Sequence, residues 1–223
     1  MGAGRYTDIV KIFPKAMGWA AVAVLCAIVT GGCATTKLAN IIPEPGAVVV
    51  IVDRSMLGYQ AREDQFQEID SLAKSANEAN SVFDLWAYDN HVVHLWGPTV
   101  LQAVDMIDSA ENNDLVRNNS KVRGNPQPSL ALDLLAKSGD ISQPYGRIYL
   151  LTDGALPPNS TKPELNAALA EIATHSGWRL EVLGIAAQNR SVWQAALSST
   201  MGNRFDLVNQ KNALALLTQN RDE

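Results

Sequence analysis

Asp53 and Asp153 are the residues of this chain best placed to do chemistry. Each ends a short apolar run, AVVVIV at 47–52 and RIYLLT at 147–152. Runs of this kind read as strands buried on both faces, which puts both carboxylates at strand carboxyl ends. In an open α/β sheet, ligands bind at that edge, where the strand order reverses. If the two strands are neighbours there, the carboxylates share one crevice and repel unless a proton or a cation intervenes. Ser55 adds a hydroxyl oxygen to the same loop. A set made only of oxygens suits Mg²⁺, Mn²⁺ or Ca²⁺ and not zinc. Taken singly, each aspartate reads first as the cap of the next helix or turn, since Asp is favoured there. The pair with Ser55 is what points to a cation.

The elements that must hold these residues alternate along the chain. After Ala47–Val52, Phe66, Ile69, Leu72, Ala73 and Ala76 recur at helical spacing. Val82–Tyr88 and Val92–Trp96 read as strands, and the Asp89-Asn90 link between them as a hairpin that makes the second antiparallel to the first. A helix is expected near Val100–Ser109, then a polar, Asn-rich stretch at 111–128, either a functional loop or a solvated excursion. Leu130, Ala131, Leu134 and Leu135 mark a helix, and Arg147–Thr152 a strand. Thr161-x-x-Glu164 reads as a capping box before a helix, and Ser191-x-x-Gln194 as the cap of another. Arg179–Ile185 and Arg204–Val208 are the last strands, and Asn212–Thr218 a closing helix. Strands joined by helical crossovers imply a mostly parallel, doubly wound sheet of about six strands, layered α/β/α, with one antiparallel edge strand.

Composition sets the context. The chain has 223 residues, 47% hydrophobic and 18% charged, with a formal charge of −5 and two cysteines. That is too apolar for disorder, and no basic field points to nucleic acid. Arg5, Lys11 and Lys15 precede a 14-residue apolar run, Ala16–Val29, followed by Thr30, Gly31, Gly32 and Cys33. A basic start, a short apolar stretch and small residues make an export signal, shorter than the roughly 20 residues of a usual membrane span. A single uncleaved membrane anchor is the alternative. Removal of residues 1–32 leaves 15 basic and 22 acidic residues, a formal charge of −7, and no cysteine besides Cys33. Pro43, Pro45 and Gly46 make 33–46 a tether, and 47–220 a single domain.

The two glycines before Cys33 resemble the lipobox of bacterial lipoproteins, which implies palmitate-type acylation of Cys33 and a lipid-anchored place in a bacterial cell envelope. VVVIVDRSMLG at 48–58 and YLLTDGAL at 149–156 resemble the first and last signatures of a von Willebrand factor type A domain. VFDLWAYDN at 82–90, PSLALDLL at 128–135 and GNRFDLV at 202–208 match in order between and after them. The resemblance implies a protein-binding or assembly module with a metal-ion-dependent adhesion site. Asp53, Ser55 and Asp153 stand at three of its five positions. Leu57 stands where a second serine belongs, and Asn125 or Pro126 where a threonine belongs, so the implied site is degenerate; Asn125 offers a weak carbonyl ligand.

Other chemistry is sparse. His91 and His94 lie three apart on an expected strand, hence on opposite faces, and suit surface or edge roles better than one metal. No nucleophile elbow, phosphate-binding loop or zinc-protease helix occurs. The tryptophans Trp86, Trp96, Trp178 and Trp193 are expected in the core. Met56, Leu57 and Tyr59 after Asp53, and Leu156 and Pro157 after Asp153, are apolar residues on strand-end loops; they form a partner-binding rim or tuck back onto helices. The reading is a non-enzymatic, membrane-tethered module that binds a protein partner, with Mg²⁺ or Mn²⁺ as its cation. The alternatives are a metal-dependent hydrolase or nuclease using Asp53 and Asp153, with Asp89 as an optional third ligand, and a structural envelope subunit with a vestigial metal site.

Overall fold

The computed structural model describes residues 46–55, 59–100, 126–157 and 162–209, with only the backbone of 59–63 and 162. Six strands form one sheet: β1 (Ala47–Asp53), β2 (Val82–Tyr88), β3 (Val92–Val100), β4 (Gly146–Leu151), β5 (Trp178–Leu183) and β6 (Phe205–Val208). Four helices are described: α1 (Tyr59–Glu78), α2 (Pro128–Ser138), α3 (Lys162–Ala173) and α4 (Ala187–Thr200). The sheet order is β3-β2-β1-β4-β5-β6, parallel throughout except for the antiparallel β2–β3 pair. This is the expected doubly wound sheet with one antiparallel edge.

Every residue of β1 is buried, as its unbroken β-branched run requires of a central strand covered on both faces. The alternation of β1 divides the core. Val48, Val50 and Val52 join Ile69, Leu72, Ala73 and Ala76 of α1 on one side. Ala47, Val49 and Ile51 join Leu132 and Leu135 of α2, Leu165 and Leu169 of α3, and Trp193 and Leu197 of α4 on the other. Trp86, Trp178 and Trp193 are core residues, as their faces implied, and Trp96 is half-buried.

Several boundaries shift. β3 continues past Trp96 to Val100, so Val100 closes a strand and does not open a helix. Opposite Gly97-Pro98 the β2–β3 register slips around Asp84, and Gly97 takes φ +93. A Cβ there would lie 2.4 Å from the Phe83 carbonyl oxygen, so the close strand approach requires glycine. β5 stops at Leu183 because Gly184, at φ +90, turns the chain. The Ser191 cap is a misreading: α4 begins four residues earlier, at Ala187, behind the uncapped Ala186. Its first turn is held instead by the Asp153 carbonyl, which accepts from the Ala186 N–H (2.9 Å) and from Asn189 Nδ2 (3.0 Å). Thr161, the rest of 101–109 and Asn212–Thr218 lie outside the described residues; Glu164 does stand in the first turn of α3.

Candidate metal centre at the strand ends

β1 and β4 pair in parallel from Ala47↔Gly146 to Val52↔Leu151, so Asp53 and Asp153 leave adjacent strands at one edge. With β2 on one side of β1 and β4 on the other, this is where the strand order reverses. Gln65 of α1 spans the gap that opens there, its Nε2 donating to the Asp53 carbonyl (3.1 Å) and the Leu151 carbonyl (3.3 Å).

The Asp53 carboxylate is fully buried. Its Oδ1 accepts from the Ser55 hydroxyl (2.6 Å) and the Ser55 N–H (2.9 Å). Its Oδ2 accepts from the Thr152 hydroxyl (2.7 Å) and the Tyr88 hydroxyl (3.2 Å). Burial pushes the Asp53 carboxyl above the usual carboxylate range, and the Asp153 charge adds to this; the Ser55 and Thr152 hydrogen bonds pull the other way. Burial and the same carboxylate push the Tyr88 phenol well up, which keeps it a proton donor to Asp53.

Asp153 is half-buried, its Oδ1 accepting from the Ala155 N–H (2.7 Å). Gly154 follows at φ +78, its carbonyl accepting from Trp193 Nε1 (2.9 Å) and its N–H donating to Thr152 Oγ1 (3.0 Å). Asp89, a ligand in the hydrolase alternative, is committed elsewhere. It pairs with Arg54 (2.9 Å) and accepts from the His91 N–H (2.8 Å), with both partners' side chains of the pair almost wholly buried.

A hydroxyl that gives its proton to a carboxylate keeps its lone pairs for another partner. Ser55 is so oriented by Asp53, and Thr152 too, although Thr152 already accepts from Gly154. Two hydroxyl oxygens and two carboxylates at this edge are ligands of the kind a hard divalent cation takes, with water in the remaining positions. Neither Thr152 nor Tyr88 stands out in the sequence alone. The signal for Thr152 was its place before Asp153, and for Tyr88 the register that sets it beside Asp53.

Among the expected rim residues, Leu156 is half-buried and packs against the core, so it tucks back; Pro157 is half-buried. Met56, Leu57, Asn125, Cys33 and the Tyr59 side chain lie outside the described residues. His91 precedes β3 as an exposed residue. His94 does more than the edge role expected of it: its Nε2 lies 2.6 Å from Asp84 Oδ1, and its ring stacks on Trp86.

The sheet order, the single antiparallel edge and the flanking helices define the von Willebrand factor type A, Rossmann-like α/β fold. Proximal thread matrix protein 1 from the mussel byssus is similar, with TM-score 0.58 and 12% identity over 80% of this chain and 48% of that one. The same mussel protein is also known with zinc in its MIDAS motif, again at TM-score 0.58 and 12% identity, with the same 80% and 48% coverage. An aerotolerance-related membrane protein from Bacteroides fragilis matches with TM-score 0.56 and 14% identity, over 79% of this chain and 97% of that one. The chain thus spans about half the length of the mussel protein. No family model matches the chain, and no curated protein sequence does.

Proposed function

We propose that this protein is a non-enzymatic binding module of a bacterial cell envelope that recruits a protein partner through its strand-end loops, with Mg²⁺ or Mn²⁺ at Asp53, Ser55 and Asp153. One observation carries the reading: a fully buried Asp53 carboxylate orients the Ser55 and Thr152 hydroxyls beside Asp153 at the reversal point of the sheet. Asn125 supplies a further, weaker oxygen, and a partner carboxylate completes the coordination. The mussel protein with a zinc-occupied MIDAS motif and the Bacteroides fragilis membrane protein are consistent with such a use of the fold. The hydrolase alternative loses its third carboxylate, because Asp89 is paired with Arg54.

Attachment is by lipid at Cys33, with 34–46 as tether to a domain over 47–220. No helix among the described residues is long and apolar enough to cross a membrane, and the apolar run 16–29 lies outside them.

Calorimetric titration of the full chain in detergent with Mn²⁺ tests the cation. Binding that disappears in Asp53→Asn and in Asp153→Asn supports the site; no heat with the parent chain, or equal heat with both variants, removes it. For the anchor, radiolabelled palmitate must enter the parent chain and not Cys33→Ser.

A further inference from the structure

Asp84, His94 and Asp140 form a second group of ligating side chains, each offering one ligand atom within 4.8 Å of the others. Three elements bring them together. Asp84 lies on β2 and His94 on β3, while Asp140 follows α2 after the left-handed Gly139. Asp84 pairs with Val49, four residues below the Asp53↔Tyr88 pair, so the group sits about 13 Å down the sheet from the strand-end crevice.

The group is built and not merely crowded. Asp84 is 1% exposed, and Trp86 Nε1 holds its Oδ2 at 2.7 Å, which leaves Oδ1 turned to His94. The Trp86 indole stacks on the imidazole at 4.4 Å and 13°, fixing the ring plane. Gly97 lets the β3 backbone pass over this carboxylate, since a Cβ there would lie 3.0 Å from Asp84 Oδ1. Among the described residues, no lysine or arginine pairs with Asp84 or Asp140, and the Asp140 carboxylate makes no hydrogen bond. Two carboxylates thus face one imidazole with no fixed cation between them.

We infer that Asp84, His94 and Asp140 bind a divalent transition cation of the zinc class, clamping the β2–β3 hairpin to the turn after α2. One imidazole nitrogen and two carboxylate oxygens, with water as fourth ligand, suit zinc and not Mg²⁺. Bonds of about 2.0–2.1 Å place tetrahedral ligand atoms about 3.4 Å apart, so the His94–Asp84 contact opens slightly as the cation enters. The proton shared by Nε2 and Oδ1 leaves, to Nδ1 of the same ring or to water. Trp86 then serves as the outer partner that holds the carboxylate in place.

Titration of the full chain in detergent with Zn²⁺, in an Asp53→Asn background that disables the strand-end crevice, tests this. One equivalent is expected to bind, at least tenfold more weakly in His94→Gln and in Asp140→Asn. Co²⁺ is expected to give a visible ligand-field band that His94→Gln abolishes. Zn²⁺ is expected to raise the melting temperature by roughly 5 °C at a hundredfold excess over Kd. Circular dichroism confirms that each variant is folded, and half-exposed Asp140 is the position least able to disturb the core. No Zn²⁺ bound in the Asp53→Asn background, or unchanged affinity in either folded ligand variant, overturns the inference. Neither result bears on the strand-end crevice.

Discussion

The Thr152 hydroxyl donates to Asp53 Oδ2 across 2.7 Å, tying together residues 99 positions apart at the ends of two neighbouring strands. The bond is buried, and the same hydroxyl oxygen accepts from the Gly154 N–H in the turn that carries Asp153. Thr152→Val keeps the shape of the side chain and removes only the hydroxyl. It strips Asp53 of one donor and the Gly154 N–H of its acceptor, at a cost of about 1–3 kcal/mol. Urea unfolding measures that loss, and Mn²⁺ titration is expected to show weaker binding at the same time. An unchanged unfolding midpoint contradicts the role given to this bond.

A proton competes with any cation at Asp53, because burial raises this carboxyl above its ordinary range. Mn²⁺ affinity is therefore expected to climb as pH rises from the ordinary carboxylate range, since ionised Asp53 is the form that binds. Titrations at a series of pH values check the direction. A flat profile would mean that Asp53 is not part of the cation site.

Arg54 and Asp89 form an ion pair at 2.9 Å with side chains 7% and 2% exposed. Arg54→Ala leaves a buried carboxylate without its cation, which costs about 3–5 kcal/mol. Asp89→Asn in the Arg54→Ala background is expected to recover part of this. Chemical denaturation of the three variants measures both steps, and a mild Arg54→Ala effect refutes the pairing.

Gly154 sits at φ +78 with the Ile185 side chain 2.8 Å from the position of a Cβ. Gly154→Ala combines left-handed strain with a clash in a packed core, for a loss of about 2–4 kcal/mol. Because Gly154 adjoins Asp153 and receives the Trp193 indole bond, cation affinity should fall with it. Thermal melts that match the parent chain would show that the turn yields freely.

Glu68 is 4% exposed, and burial, with Asp64 as second cause, pushes its carboxyl from 4.5 up to about 8. The folded state keeps a proton that the unfolded state has given up. Stability from this group is therefore fully present below about pH 4.5 and is lost as pH rises toward about 8. The whole excursion is on the order of 3–5 kcal/mol. Glu68→Gln stays neutral at every pH, so it is expected to match the parent near pH 4.5 and to exceed it at pH 8. Equal pH slopes for the two proteins would reject the buried, raised carboxyl.

The strand-end site was half legible in the residues. AVVVIV and RIYLLT announce buried strands without ambiguity, and an aspartate after each has one place to go. Thr152 and Tyr88 were hidden because their importance depends on register: Asp53 meets Tyr88 only once β1 and β2 are aligned. Asp84 and His94 were hidden more deeply, since the antiparallel pairing sets His94 opposite Trp86 and a third element brings Asp140. The start of α4 escaped because its sequence holds no capping side chain; a carbonyl of Asp153 does that work through space. Local chemistry is read from local sequence, whereas these contacts are made by the chain's return.

Among the described residues, both borders of the sheet are poor templates. β6 offers four residues, and β3 is made irregular by a left-handed glycine and a proline that has no N–H to give. Edges this short or kinked discourage the addition of a further strand from outside. The protein is thereby guarded against edge-to-edge polymerisation at high local concentration. A partner that recognises it by extending the sheet is disfavoured for the same reason, which leaves side chains and loops as the means of recognition.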